Sequence, residues 1–189
     1  MKRVLLLGDS IRIGYCEQVA ALMKDRAEVL WPNENCRFAQ YMLASMINWA
    51  RAIDRPDAID VVHWNCGQWD MAQFEGTGEP LVTAEEYAAA LERVDALIRR
   101  FFPNAQVVFA LTTPILPNIP MSAPRTTEDV IRYNNAALEV MNRLNVPVND
   151  LFSVARNIPD EAYADAVHFK PEGSQVLAEA VVRAVEKYI

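Results

Sequence analysis

Three residues of this chain could together activate an oxygen atom: Ser10 near its start, and Asp165 and His168 near its end. A serine hydroxyl is a weak nucleophile until a base takes its proton. Histidine is the side chain whose ordinary pKa suits that task near neutrality, and the chain has only two, His63 and His168. His63 lies between Val62 and Trp64 in an apolar run and reads as a core histidine. His168 stands in Asp165-Ala166-Val167-His168. There a carboxylate three residues earlier can reach Nδ1–H, fix the tautomer and stabilise the imidazolium formed during attack. Ser10 closes Val4-Leu5-Leu6-Leu7-Gly8-Asp9-Ser10, four apolar residues running into a small polar turn. Taken alone, Gly-Asp-Ser is a helix cap or an anion-binding turn, and Asp165 with His168 merely precedes a helix. Taken together, they point to nucleophilic catalysis.

The tetrahedral intermediate of such chemistry needs hydrogen-bond donors for its oxyanion. Ser10 N–H at a helix start is one. Asn35 or Cys36, in the loop after the second strand, is expected to supply another, and Asn65, after the third strand, is the preferred side-chain donor. Asp9, Gly67, Trp69 and Thr113 are the remaining expected pocket residues. Cys16, Cys36 and Cys66 are odd in number and include no Cys-x-x-Cys pair. They therefore suggest neither a disulfide framework nor, with two histidines, a zinc site. No metal and no cofactor are expected.

These residues must be positioned by elements the sequence also announces. Apolar runs at Val4–Leu7, Ala27–Trp31, Ile59–Trp64, Gln106–Leu111 and Val146–Val148 read as strands. Stretches of helical period separate them. Ile13, Val19, Ala20, Leu22 and Met23 mark the first helix, and Phe38–Ala52 the second. Thr83 with Glu86, and Thr126 with Asp129, open two more, and Pro171 suits the first turn of a closing helix that reaches Tyr188. Strand–helix alternation predicts an α/β fold, a mostly parallel five-stranded sheet covered on both faces in three layers. Right-handed crossovers favour a flavodoxin-like strand order. Ligands bind at the carboxyl ends of such strands, so Ser10, Asn33–Cys36, Asn65–Asp70, Thr112–Pro114 and the Asp165–His168 loop should share one rim. The loops 71–82 and 114–125, the second rich in proline, are the expected walls of the site. Trp31, Trp64 and Trp69 fall near strand ends, as ordinary packing or as an aromatic wall for an acyl chain or a sugar face.

Composition sets the outer bounds. At 189 residues, 52% apolar and 23% charged, with no repeat or linker, the chain reads as one domain over 1–189. A net charge of −7 argues against nucleic acid and anionic membrane as partners. Met1-Lys2-Arg3 followed by four apolar residues is too short for a secretory signal core, so a cytoplasmic location is expected. The Pro-rich loop offers a surface for a homo-oligomer.

Gly8-Asp9-Ser10 and Asp165-x-x-His168, the latter followed by Phe169, Pro171 and Gly173, resemble the first and last blocks of the SGNH or GDSL-type hydrolases. Tyr133-Asn134 is also similar to a frequent feature of that family. The resemblance spans nearly the whole chain. It implies a flavodoxin-like α/β/α fold and ester hydrolysis, with Ser10 as nucleophile, His168 as base and Asp165 as its orienter. Two blocks depart from the family pattern. Where the second offers a glycine N–H, this chain has Glu34-Asn35-Cys36-Arg37. Where the third is Gly-x-Asn-Asp, it has Gly67-Gln68-Trp69-Asp70, with Trp69 in place of the donor asparagine. The expected activity is hydrolysis of a small-molecule ester, with deacetylation of sugars as the habit of the family it resembles. The rivals are an acyltransferase of the same fold and a non-catalytic ligand-binding α/β module.

Overall fold

In the computed structural model, residues 1–74 and 78–189 are described. The middle of the Gly-containing loop, 75–77, lies outside them, and with it part of the expected wall 71–82. Five strands, β1 (Lys2–Leu7), β2 (Ala27–Leu30), β3 (Val61–Trp64), β4 (Gln106–Ala110) and β5 (Val148–Asn149), form a parallel sheet in the order β2-β1-β3-β4-β5. The register pairs Leu5 with Leu30 and Val62, and Trp64 with Phe109. This is the flavodoxin-like order expected of right-handed crossovers. Val4–Leu7 and Val61–Trp64 are buried on both sides, as uninterrupted apolar runs in a covered parallel sheet must be.

Helices α1 (Ser10–Met23), α5 (Leu151–Ala155) and α6 (Pro171–Val185) pack together, and α2 (Ala39–Ala52), α3 (Ala84–Phe101) and α4 (Thr127–Leu144) form a second group. The chain leaves β1 towards β2 and then returns across it to β3. That reversal puts the switch point of the sheet between the carboxyl ends of β1 and β3. Gly8–Ser10 and Asn65–Trp69 emerge on either side of it.

The caps at Thr83 and Thr126 are reciprocal boxes with Glu86 and Asp129, and Pro171 begins α6. Two sequence expectations need revision. The buried face of α1 is Ile11, Arg12, Tyr15, Cys16, Val19 and Met23, whereas Ile13 and Leu22 are exposed. Counting apolar residues failed because an arginine occupies the core face. The fifth strand is Val148–Asn149 rather than Val146–Val148, and the short α5 behind it carried no periodic signal. No helix among the described residues is long and apolar enough to cross a membrane.

Candidate active site

The turn after β1 divides two duties between adjacent residues. Asp9 is the N-cap of α1: its Oδ1 accepts Ile11 N–H at 3.0 Å and Asn65 Nδ2–H at 3.0 Å. Ser10 is thereby relieved of capping, and its side chain faces a cleft. Asp9 is fully buried. Burial pushes its carboxyl up, against the opposing pull of Asn65, Ile11 N–H, Arg125 and Arg12.

Ser10 Oγ lies 2.7 Å from His168 Nε2, and His168 Nδ1 lies 2.7 Å from Asp165 Oδ2. The other carboxylate oxygen, Asp165 Oδ1, accepts the backbone N–H groups of Val167 and His168 at 2.7 and 2.8 Å. The Asp-x-x-His spacing thus closes a tight turn in which one carboxylate holds both the loop and the ring. Partial burial pushes the Asp165 carboxyl up. The hydrogen bonds from His168 and Val167 outweigh it and hold the group below the ordinary carboxylate range. Asp165 stays ionised near neutrality, as an orienter of imidazolium must. His63 is a different histidine in every respect. It is fully buried in β3, its Nε2 lies 3.1 Å from Asn149 Nδ2, and burial pushes its pKa down to about 3.

The cleft holds about 540 Å³ and is bounded by Ser10 and His168, Asn35, Trp69 with Phe74, the 120–125 segment and Arg125. Trp69 and Phe74 stand with ring centroids 5.6 Å apart. Trp64 is instead a core residue against Phe109, and Trp31 lines a separate groove beside Trp49. Of the two readings of these tryptophans, ordinary packing describes Trp64, and Trp69 alone lines the cleft.

Asn35 is held at the cleft by a pinned loop. The Glu34 carboxylate accepts Trp49 Nε1–H and Tyr41 O–H, each at 2.7 Å, and these bonds draw its pKa down. The Glu34 carbonyl accepts from Arg12 Nη2, which also donates to Gly8 O at 3.3 Å. Asn35 lines the cleft; its Oδ1 accepts Arg37 N–H at 2.7 Å, and its Nδ2 has no acceptor among the described residues. Cys36 N–H is directed elsewhere, to Gly8 O at 3.0 Å. Asn65 is 2% exposed and its amide donates to Asp9, one layer below the cleft. Asp9, Gly67 and Thr113 are likewise buried and are not among the residues that line the cleft. Thr113 contributes its carbonyl, which accepts from Gln68 Nε2 at 2.7 Å. Of the residues expected at the pocket, the structure brings Ser10, Asp165, His168, Asn35 and Trp69 together. It places Asp9, Cys36, Gly67, Asn65 and Thr113 behind them, because each is committed to holding a loop or is sealed under one.

Arg12 and Arg125 escaped the sequence reading. Arg12 is 1% exposed and ties the β1 turn to the loop after β2. Its signal was position: with Ile11, Tyr15 and Val19 it completes a helical stripe. Arg125 sits in the Pro-rich stretch, where no spacing marks it.

A family model for GDSL-like lipases and acylhydrolases matches residues 6–176. The chain belongs to the GDSL-like lipase/acylhydrolase family. The fold is shared with solved structures at low sequence identity. One is an acetyl xylan esterase (TM-score 0.77, 19% identity, covering 97% of this chain and 99% of that one). Another is a lipase/acylhydrolase from Enterococcus faecalis (TM-score 0.77, 20% identity, 99% and 96%). A third is a carbohydrate acetylesterase from Sinorhizobium meliloti (TM-score 0.73, 15% identity, 100% of both chains). No curated protein matches the chain in sequence. The Tyr133-Asn134 pair of this GDSL chain has a plain structural account. Asn134 Oδ1 accepts Thr112 N–H and its Nδ2 donates to Thr112 O, both at 3.0 Å, fixing the end of β4. Tyr133 O–H donates to Val82 O.

The third block holds a second buried carboxyl, Asp70, whose Oδ1 accepts the first N–H of α2, from Ala39, at 3.0 Å. Burial pushes its pKa up to about 7 against the pull of that bond. The folded protein therefore holds this proton more tightly than the unfolded chain. Its contribution to stability is full at low pH and declines as pH rises from about 4 through 7. Asp70→Asn keeps an oxygen for Ala39 and removes the titration. The drop in urea-unfolding free energy between pH 5 and pH 7.5 should shrink in the variant by on the order of 1–3 kcal/mol. Parallel pH profiles for the two proteins would contradict the assignment.

Proposed function

We propose that the protein is a serine esterase cleaving small-acyl esters of carbohydrates or other small alcohols through an acyl-enzyme. The observation that carries this reading is the chain of two 2.7 Å contacts from Ser10 Oγ through His168 to Asp165, opening on a cleft. In the first half-reaction His168 Nε2 takes the hydroxyl proton as Oγ bonds to the carbonyl carbon, and the carbonyl electrons move to oxygen. The oxyanion rests on Ser10 N–H, which at the first helical position has no intrahelical acceptor, and on Asn35 Nδ2–H. As the carbonyl re-forms, the alkoxide leaves with the proton from His168 Nε2. Water then repeats the sequence on the acyl-enzyme.

Hydrolysis is favoured over acyl transfer by exposure. The side chains of His168 and Asp165 are 44% and 53% exposed, so water has open access to the acyl-enzyme. Support for a carbohydrate alcohol comes from the Trp69–Phe74 face, which suits the apolar side of a sugar ring. Similarly folded proteins also include an acetyl xylan esterase and a carbohydrate acetylesterase.

Asn35→Ala tests the oxyanion assignment. Turnover of p-nitrophenyl acetate should fall roughly 10- to 1000-fold with little change in KM, as expected when a donor acts chiefly in the transition state. An unchanged kcat would return the role to another group.

A further inference from the structure

Arg125 brings a cation to the same cleft as Ser10, Asp165 and His168. Two of its nitrogens are fixed by the protein. Nε donates to Gln68 Oε1 at 2.8 Å and Nη1 to Ala123 O at 2.7 Å. Gln68, fully buried, is itself locked by its bond to Thr113 O. The guanidinium is therefore held in one plane, its Nη2 has no acceptor among the described residues, and the side chain lines the cleft. No carboxylate of the described residues lies within ion-pair distance of it. The two acidic groups in its field do not take it. Both Asp165 oxygens are engaged by His168 and Val167, and Asp9 lies buried on Asn65 and the α1 N-terminus.

A part-buried, preorientated guanidinium with an open edge is the feature that recognises a planar anion. The chain carries a net charge of −7. Yet a second cation, Arg37, stands 5.9 Å from the Trp69 ring at the margin of this cleft.

We propose that Arg125 is a specificity residue that selects esters carrying a carboxylate near the scissile bond. The inference rests on the esterase reading of Ser10. It names the substrate as a small anionic ester, the charge sitting on either the acyl or the alcohol part.

The test compares isosteric charged and neutral esters by pH-stat. Ethyl hydrogen succinate against ethyl levulinate places the charge on the acyl side. Acetylglycolate against acetoxyacetone places it on the alcohol side. In the wild type, kcat/KM should favour the charged member of one pair by 10-fold or more, and that pair identifies the side. Arg125→Gln should lower that charged-to-neutral ratio at least 30-fold, and Arg125→Lys should restore part of it. A ratio that does not move, with both esters slowed alike, would make Arg125 a brace or an oxyanion donor and overturn the proposal. A wild-type preference for the neutral member of both pairs would do the same. A binding arm separates this outcome from failure of the esterase reading. Ser10→Ala protein titrated by NMR should bind the preferred charged ester at least 10-fold more tightly than its neutral partner, and Ser10→Ala/Arg125→Gln should lose that margin. Equal binding of the two esters rejects the anion site whether or not the wild type turns them over. Absence of turnover with selective binding rejects only the esterase.

Discussion

Ser10→Ala and His168→Ala should each reduce p-nitrophenyl acetate hydrolysis by roughly four to six orders of magnitude, to the rate left by binding and oxyanion donors alone. The two losses should be similar and should not add in the double variant. Each removes one end of a single proton transfer across the 2.7 Å Oγ–Nε2 contact. Removing the hydroxyl leaves nothing to acylate. Removing the imidazole leaves a hydroxyl with no base, since His63 is buried in the sheet with its proton affinity suppressed. Asp165→Asn should cost less than either. Asp165 acts on the ring from a half-exposed position, where water offers partial replacement. Labelling by a fluorophosphonate provides the second readout. Wild type should be modified at Ser10, His168→Ala should react far more slowly, and Ser10→Ala should not react there. Circular dichroism of all three should match, because none of these side chains carries core packing. A wild-type-like rate in either single variant would remove the triad from the mechanism.

The parts of this site that were legible in the sequence are those enforced by short-range chemistry. A strand ending in Gly-Asp-Ser marks a turn at its carboxyl end, and an aspartate three residues before a histidine is close enough in sequence to reach its ring. The strand order was legible for a similar reason, since right-handed crossovers leave few alternatives once five parallel strands are recognised. What could not be read was the allocation of hydrogen bonds between segments distant in sequence. Asn65, Cys36 and Asn35 are all polar residues after strands, and nothing local distinguishes them. Only the assembled rim shows that Cys36 N–H goes to Gly8 O, that Asn65 goes to Asp9, and that Asn35 lines the cleft with no acceptor for its Nδ2 among the described residues. Asn65, the donor the sequence favoured, is 2% exposed and gives its amide to Asp9. Arg125 was hidden more completely. Its significance depends on Gln68, 57 residues earlier, accepting its Nε–H and so setting the plane of the guanidinium.

Gly8→Ala should unfold more readily than wild type by about 2–4 kcal/mol and lose turnover on the order of 100-fold, although Gly8 makes no contact with substrate in the proposed mechanism. A Cβ at Gly8 would stand 2.0 Å from Asn65 Oδ1 and 2.8 Å from Arg12 Cβ. Neither neighbour can yield cheaply. Asn65 is tied to Asp9, and Arg12 is buried with its guanidinium fastened to the loop that carries Asn35. Relieving the clash through Asn65 breaks the bond that steadies the cap of α1, and Ser10 is the next residue along. Relieving it through Arg12 moves the helix whose first N–H is the proposed oxyanion donor. The steric origin can be separated from a general loss of flexibility by a double-mutant cycle. Asn65→Ala removes the group the new methyl strikes, so Gly8→Ala/Asn65→Ala should be more stable than the sum of the single losses by at least about 1 kcal/mol. Additive urea-unfolding free energies would show that the two positions do not meet. A Gly8→Ala protein with wild-type stability and turnover would show that the close approach of β1 and β3 at their switch point is not what fixes Ser10. The coupling expected here makes the glycine of Gly-Asp-Ser a packing requirement: it lets the turn that carries Ser10 press directly against the side chain that holds the cap of α1.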